Sequence, residues 1–145
     1  MVEQEILDDM EIARQVLMKS DTSILVIRDK KIISRVQGLG IRPIMETIEK
    51  LGDEMEGTVV GDRILGKASA LLCKYSKVKG VYSLQATKTA IAILIMSGIP
   101  GQTEELVPFI KNKDGNDICP FEKLLKDTNN AEEAYKILKN KLDKK

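Results

Sequence analysis

A chain of 145 residues, 43% hydrophobic and 31% charged, fits one folded domain and leaves little room for a second core. A net charge of +1 gives no overall field toward nucleic acid or an anionic membrane, and 3% aromatics without tryptophan argue against a base-stacking surface. With no histidine and only two cysteines, Cys73 and Cys119, the chain lacks a Cys–His or Ser–His–Asp device, an ordinary catalytic zinc site and a disulfide framework.

The amino terminus is acidic and runs straight into helical periodicity, which is not the pattern of a signal peptide. Ile6, Leu7, Met10, Ala13, Val16 and Leu17 recur at three- and four-residue intervals and predict an amphipathic helix over 3–19. Two β-branched runs around residues 28–31 predict a hairpin with strands at 23–28 and 31–36. A loop with two glycines (37–41) follows, and Pro43 suits the first turn of a helix running to about Leu51. Beyond an acidic, glycine-bounded stretch, residues 58–60 read as a short strand. Asp62 then serves as the cap of a helix over 63–74 that buries Ile64, Leu65, Ala68, Leu71 and Leu72.

Residues 78–84 read as a strand and 86–97 as a nearly all-apolar helix, buried on most sides and ended by Gly98. Its apolar stretch, 90–96, is far short of the roughly 20 residues a membrane span needs. Pro108 restricts a strand at 106–110 to an edge, and 111–117 form a polar turn. Pro120 starts a helix to about Lys126. Asn130 with Glu133 caps a last helix over 131–142, whose lysine-rich end (136–145) reads as a solvated, fraying terminus. Helix, hairpin, helix, then alternating helix and strand predict an α/β domain with one mixed sheet flanked by helices. The absence of leader, span and disulfide pattern makes cytoplasm the default location.

The segments GIRP (40–43), VVGDRILGKASALL (59–72), VKGVYSL (78–84), VPFIKNKDG (107–115) and ICPFEKLL (118–125) together resemble a small prokaryotic family of unknown function assigned to the cytidine-deaminase-like fold. That resemblance implies a three-layer α/β/α sandwich over roughly residues 20–140, and no activity. Zinc deaminases of the fold carry His/Cys-x-Glu at one helix start and Pro-Cys-x-x-Cys at the next. By element order those motifs fall at Asp62-Arg63-Ile64 and at Gln85-Ala86-Thr87-Lys88. Neither has the ligands, so zinc-dependent deamination is not expected, and no cofactor is implied. The cleft such a fold keeps at its helix amino termini would suit a nucleotide-like or other small anionic ligand.

Candidate site residues follow from that placement. Cys119, before Pro120, is the N-cap of its helix, where the dipole favours a thiolate and Glu122 opposes it. It is a candidate nucleophile, or else a small capping residue in a tight turn. Asp62 is a polar group at the cleft mouth that bonds a ribose hydroxyl or an amine, and that assists Cys119 in a thiol enzyme, or else it is simply a cap. Gly66 sits inside the predicted helix at a cost of about 1 kcal/mol relative to alanine, which calls for close packing against a neighbouring backbone or for a ligand. Lys67 is a phosphate contact or a solvated charge. Arg42, a cation placed unfavourably at a helix start, hints at an anionic partner or a salt bridge. Thr87 and Lys88, a cap and a surface lysine in the plainest reading, are ligand contacts in the other, and Asp117 joins them. The 114–117 run is too short for a calcium loop and lacks its terminal Glu. Cys73 belongs to an apolar helix face. A thiol-dependent enzyme using Cys119 is one alternative function. A regulatory or protein–protein module that dimerises through a helical face or edge strand is the other.

Overall fold

In this computed structural model, which describes residues 2–143, the periodic apolar residues form α1 (Gln4–Lys19) and turn Ile6, Met10, Ala13 and Leu17 inward. The hairpin is β1 (Ile24–Arg28) and β2 (Lys31–Val36). Asp29 and Lys30 between them take φ of 48° and 69°, the left-handed pair a two-residue hairpin turn requires. Asp9 of α1 is buried and accepts the Lys30 N–H at 3.1 Å, which fastens the turn to the helix.

The remaining elements are α2 (Arg42–Leu51), a 3-10 turn (Gly52–Met55), β3 (Val59–Leu65), α3 (Lys67–Tyr75), β4 (Gly80–Thr87), α4 (Lys88–Met96), β5 (Gly101–Val107), α5 (Pro120–Leu124) and α6 (Ala131–Asp143). Lys144 and Lys145, part of the terminus expected to fray, lie outside the described residues. The strands make one mixed sheet in the order β2-β1-β3-β4-β5, antiparallel from β2 to β3 and parallel from β3 to β5. This is the expected α/β architecture in three layers. On one face, α1 covers Leu25, Ile27, Val59 and Tyr82. On the other, Val26, Val60, Val81 and Ala86 pack against α2, α3 and α4, and α6 closes over α3 through Ala134 and Leu138.

Four sequence expectations are corrected. Asp62 does not cap a helix over 63–74; it lies inside β3, paired across the ladder with Ile24 and Ser83. The strand wins because α1 demands it: a side chain at Gly61 would strike Ala13 of α1 and Leu25 of β1, so a glycine inside the strand lets the helix lie close. Gly66 is accordingly not in a helix interior but is the N-cap of α3. The edge strand occupies Gly101–Val107 rather than 106–110, so Pro108 stands after it. The all-apolar helix is not buried on most sides either. Only Ala90 and Leu94 of α4 are buried, whereas Ile95 and Met96 are 66% and 87% exposed.

One long side chain ties the two halves of this arrangement together. Arg63 of β3 donates to the carbonyls of Leu17 and Thr22, each at 2.9 Å, and to that of Ser20. A fixed cation there satisfies carbonyls left open at the end of α1 and favours its negative dipole end.

Candidate functional site

Parallel strands followed by helices leave a crevice beyond the strands' carboxyl ends, where helix starts and loops meet. Here a cleft of about 720 Å³ opens at the end of β3. Asp62, Ile64 and Gly66 form one wall, with Ala68 and Ser69 from the first turn of α3. The loop at residues 38–41 forms a second side. It is pinned by Ser23, whose hydroxyl donates to the Gly38 carbonyl at 2.6 Å and accepts the Gly38 N–H at 3.1 Å. The third side is the segment from Ile110 to Glu122, which brings Lys111, Lys113, Cys119 and Phe121.

Glu122 shapes the inner end. Its two carboxylate oxygens accept the N–H groups of Lys67 and Ala68, each at 2.8 Å, so the chain itself caps the amino terminus of α3. Gly66 is the reason the carboxylate fits: any Cβ there would overlap the Glu122 carboxylate and Ile110. Asp62 lies against this arrangement, 6% exposed. Its Oδ1 accepts the Ile64 N–H at 3.3 Å, and no donor meets its Oδ2 in hydrogen-bond geometry, although the Ser69 hydroxyl lies near the carboxylate. Burial pushes its carboxyl up to about 7, against the Ser69 hydroxyl and the Ile64 N–H, while the neighbouring Glu122 charge adds to the rise. Ser83, its register partner on β4, is also buried with an unpaired hydroxyl.

Of the residues singled out from sequence, Asp62, Gly66 and Cys119 line this one cleft. Cys119 is the N-cap of α5 as expected, half-buried, with no hydrogen bond from its side chain to the helix. Cys73 is fully buried in α3, where burial pushes its thiol far up. Arg42, Lys67, Thr87, Lys88 and Asp117 do not line the cleft. Arg42 is the first residue of α2, beside Ile41, which does line it. Lys67 extends to the Lys126 carbonyl at 3.1 Å. Thr87 caps α4 by accepting the Ala90 N–H at 3.1 Å, and Lys88 is exposed beside it. Asp117 pairs with Lys123 and accepts the Ile118 N–H at 2.7 Å; the Lys123 ammonium holds its carboxyl below the usual range.

Sequence reasoning missed Ser69, Lys111, Lys113 and Phe121 as cleft residues, and the reach of Glu122 across to α3. Glu122 carried a signal, since a glycine immediately before a helix leaves N–H groups for a remote acceptor. The zinc chemistry of deaminases does not fit these residues. The starts of α3 and α4 are Gly66-Lys67-Ala68 and Thr87-Lys88-Thr89, without ligands, and among the described residues no three His, Cys, Asp or Glu side chains group to hold a metal.

The family model TM1506, a domain of unknown function (DUF1893), matches residues 12–142. Among solved structures, a DUF1893 family protein (TM1506) from Thermotoga maritima is 29% identical and superposes with a TM-score of 0.85, covering 97% of this chain and 92% of that one. Distant similarity extends to two proteins at 13% identity. One is the dCMP deaminase of cyanophage S-TIM5, with a TM-score of 0.48 over 71% of this chain and 99% of that one. The other is RibD of Acinetobacter baumannii, with a TM-score of 0.49 over 68% of this chain and 33% of that one. No curated protein matches the chain.

Proposed function

The chain belongs to the DUF1893 domain family, and we propose that this member binds a small, nucleotide-like molecule, without zinc, in the cleft at the end of β3. Cleft size and lining carry the reading. About 720 Å³ falls within the usual range for small-molecule sites, and apolar walls with a few converging polar groups are their usual make-up. Ile64, Ile110 and Phe121 suit a ring; Asp62 and Ser69 suit its polar edge; Lys111 and Lys113 at the mouth suit a phosphate. The anionic part belongs at those lysines rather than at the start of α3, which Glu122 already caps. Any chemistry would run through Cys119 and Asp62, the nucleophile and the titratable group that share the cleft. No helix among the described residues is long and apolar enough to cross a membrane.

Thermal melts with the 5′-monophosphates of adenosine, cytidine, guanosine and uridine test the reading. Ligand at 100 times its Kd stabilises by about 2.7 kcal/mol, so at least one nucleotide should raise Tm with concentration. The double substitution Lys111→Glu and Lys113→Glu should abolish the effect. No shift with any of the four at millimolar concentration contradicts the proposal. Elemental analysis of untagged protein should find far less than one zinc per chain.

A second reading, self-association, is favoured by a separate observation. Ile95 and Met96, adjacent at the end of α4, are exposed and leave apolar surface on the helix beside the edge strand β5. We propose a second copy of this chain as its occupant, since a two-fold contact sets like apolar surfaces together without needing opposite charges.

A further inference from the structure

The polarity of the cleft's inner end specifies which part of a ligand enters first, given that the cleft is a ligand site. Two carboxylates stand there. Glu122 has spent both oxygens on the Lys67 and Ala68 N–H groups, so an anion at the start of α3 would have to displace it and would also meet Asp62. Asp62 is the unfinished half of the pair: 6% exposed, its Oδ1 engaged by Ile64, its Oδ2 met by no donor in hydrogen-bond geometry, with only the Ser69 hydroxyl near the carboxylate. A buried acceptor without a donor carries its desolvation cost uncompensated, and an entering N–H offsets that cost. The chain offers no lysine or arginine ion pair to either carboxylate among the described residues, so a cationic head group meets no competing cation. Ile64, Ile110 and Phe121 flank the approach with apolar surface for a flat body.

We propose that this inner end is a subsite for a nitrogen-donor head group of the amidine or guanidine type, received by Asp62 Oδ2. The subsite discriminates against carboxylates and phosphates, which stay at the lysine-bearing mouth. Such a head group is planar and carries several N–H donors, so one can reach Asp62 while others face the Ser69 hydroxyl.

Three probes sharing one ring separate the possibilities: benzamidine, benzyl alcohol and benzoate, each titrated while backbone amide resonances are followed. Benzamidine should shift amides at 62–69 and 119–122, and Asp62→Asn should weaken it about tenfold or more, the scale of a hydrogen bond to a charged group. Benzoate should not perturb residues 62–69. The amide spectrum of Asp62→Asn reports whether that variant is folded. Should it unfold, wild-type affinity for benzamidine supplies the test, falling between pH 8 and pH 6 as Asp62 takes up its proton. The groups facing Asp62 in that titration are Glu122 of α5 and Ser69 and Cys73 of α3. Benzoate binding at the inner end as tightly as benzamidine, or benzamidine binding unaffected by both Asp62→Asn and pH, overturns the subsite. Nucleotide binding without benzamidine binding overturns the subsite and leaves the cleft's ligand role standing. Binding of none of these compounds overturns both.

Discussion

At the scale of single residues, Asp62 couples the cleft to the stability of the whole domain. Burial pushes its carboxyl from 3.8 in the unfolded chain up to about 7 in the folded one, so the folded state holds this proton more tightly. The stability it contributes is therefore complete below about pH 4 and lost as pH rises through 7. Asp62→Asn should be more stable than the parent at pH 8, by on the order of 2–4 kcal/mol, and nearly equal to it at pH 4. Urea unfolding across that range checks it, and parallel profiles for the two proteins would contradict a buried, ionising Asp62. Asp9, also raised by burial, is common to both proteins and cancels in the difference. The two cysteines form a second pair of opposites. Cys119 is half-buried in the cleft and Cys73 fully buried with its thiol pushed far up, so iodoacetamide should modify Cys119 while Cys73 stays protected until the protein unfolds. Equal, slow modification of both in folded protein would remove support for a thiol-dependent activity. Cys119 was legible locally, as a cysteine before an N1 proline, whereas Asp62 was reached only through the family resemblance, since locally it reads as a helix cap. Ser69 and Lys111 were not legible, since nothing in their neighbourhoods tells which way they face.

At the scale of elements, the join between α5 and α3 is the most informative, and it is made by one carboxylate. Glu122→Gln keeps an acceptor but loses the charge, and Glu122→Ala loses both. The alanine variant should cost about 1.5–3 kcal/mol in urea unfolding and the glutamine variant less, in line with hydrogen bonds to a charged group. Identical stability of Glu122→Ala and wild type would show that α5 is docked by packing alone. The same region explains why part of the fold was misread from sequence. Glycine and aspartate are depleted in strands, so Gly61 and Asp62 suggested an early end to β3 and a capped helix. Both stand there for tertiary reasons, Gly61 to admit Ala13 of α1 and Asp62 in the wall of the cleft. By contrast α1, the hairpin and α6 were legible within a residue or two because period, turn and cap all agree locally. Asn130 accepting the Glu133 N–H at 2.9 Å is the cap the spacing implied. For α4, periodicity could show that every side was apolar but not that the sheet ends at β5 and leaves one side uncovered.

At the scale of the molecule, that uncovered side and the cleft are two separate surfaces with separate consequences. If a second copy covers Ile95 and Met96, light scattering should give twice the chain mass, and Met96→Lys with Ile95→Lys should return the monomer without loss of fold. A wild-type monomer at high micromolar concentration would contradict that contact. The cleft bears the account's central claim, that residues from β3, α3 and the segment ahead of α5 converge on a small molecule. The most direct measurement is an amide-resolved titration of the wild-type protein with the nucleoside 5′-monophosphate that stabilises it most. Perturbations confined to residues 38–41, 62–69 and 110–122 are the predicted result. Contradiction would take the form of perturbations gathered instead around Tyr75 and Tyr135, whose stacked rings border a different cleft at the far end of α3, or of none at saturating nucleotide.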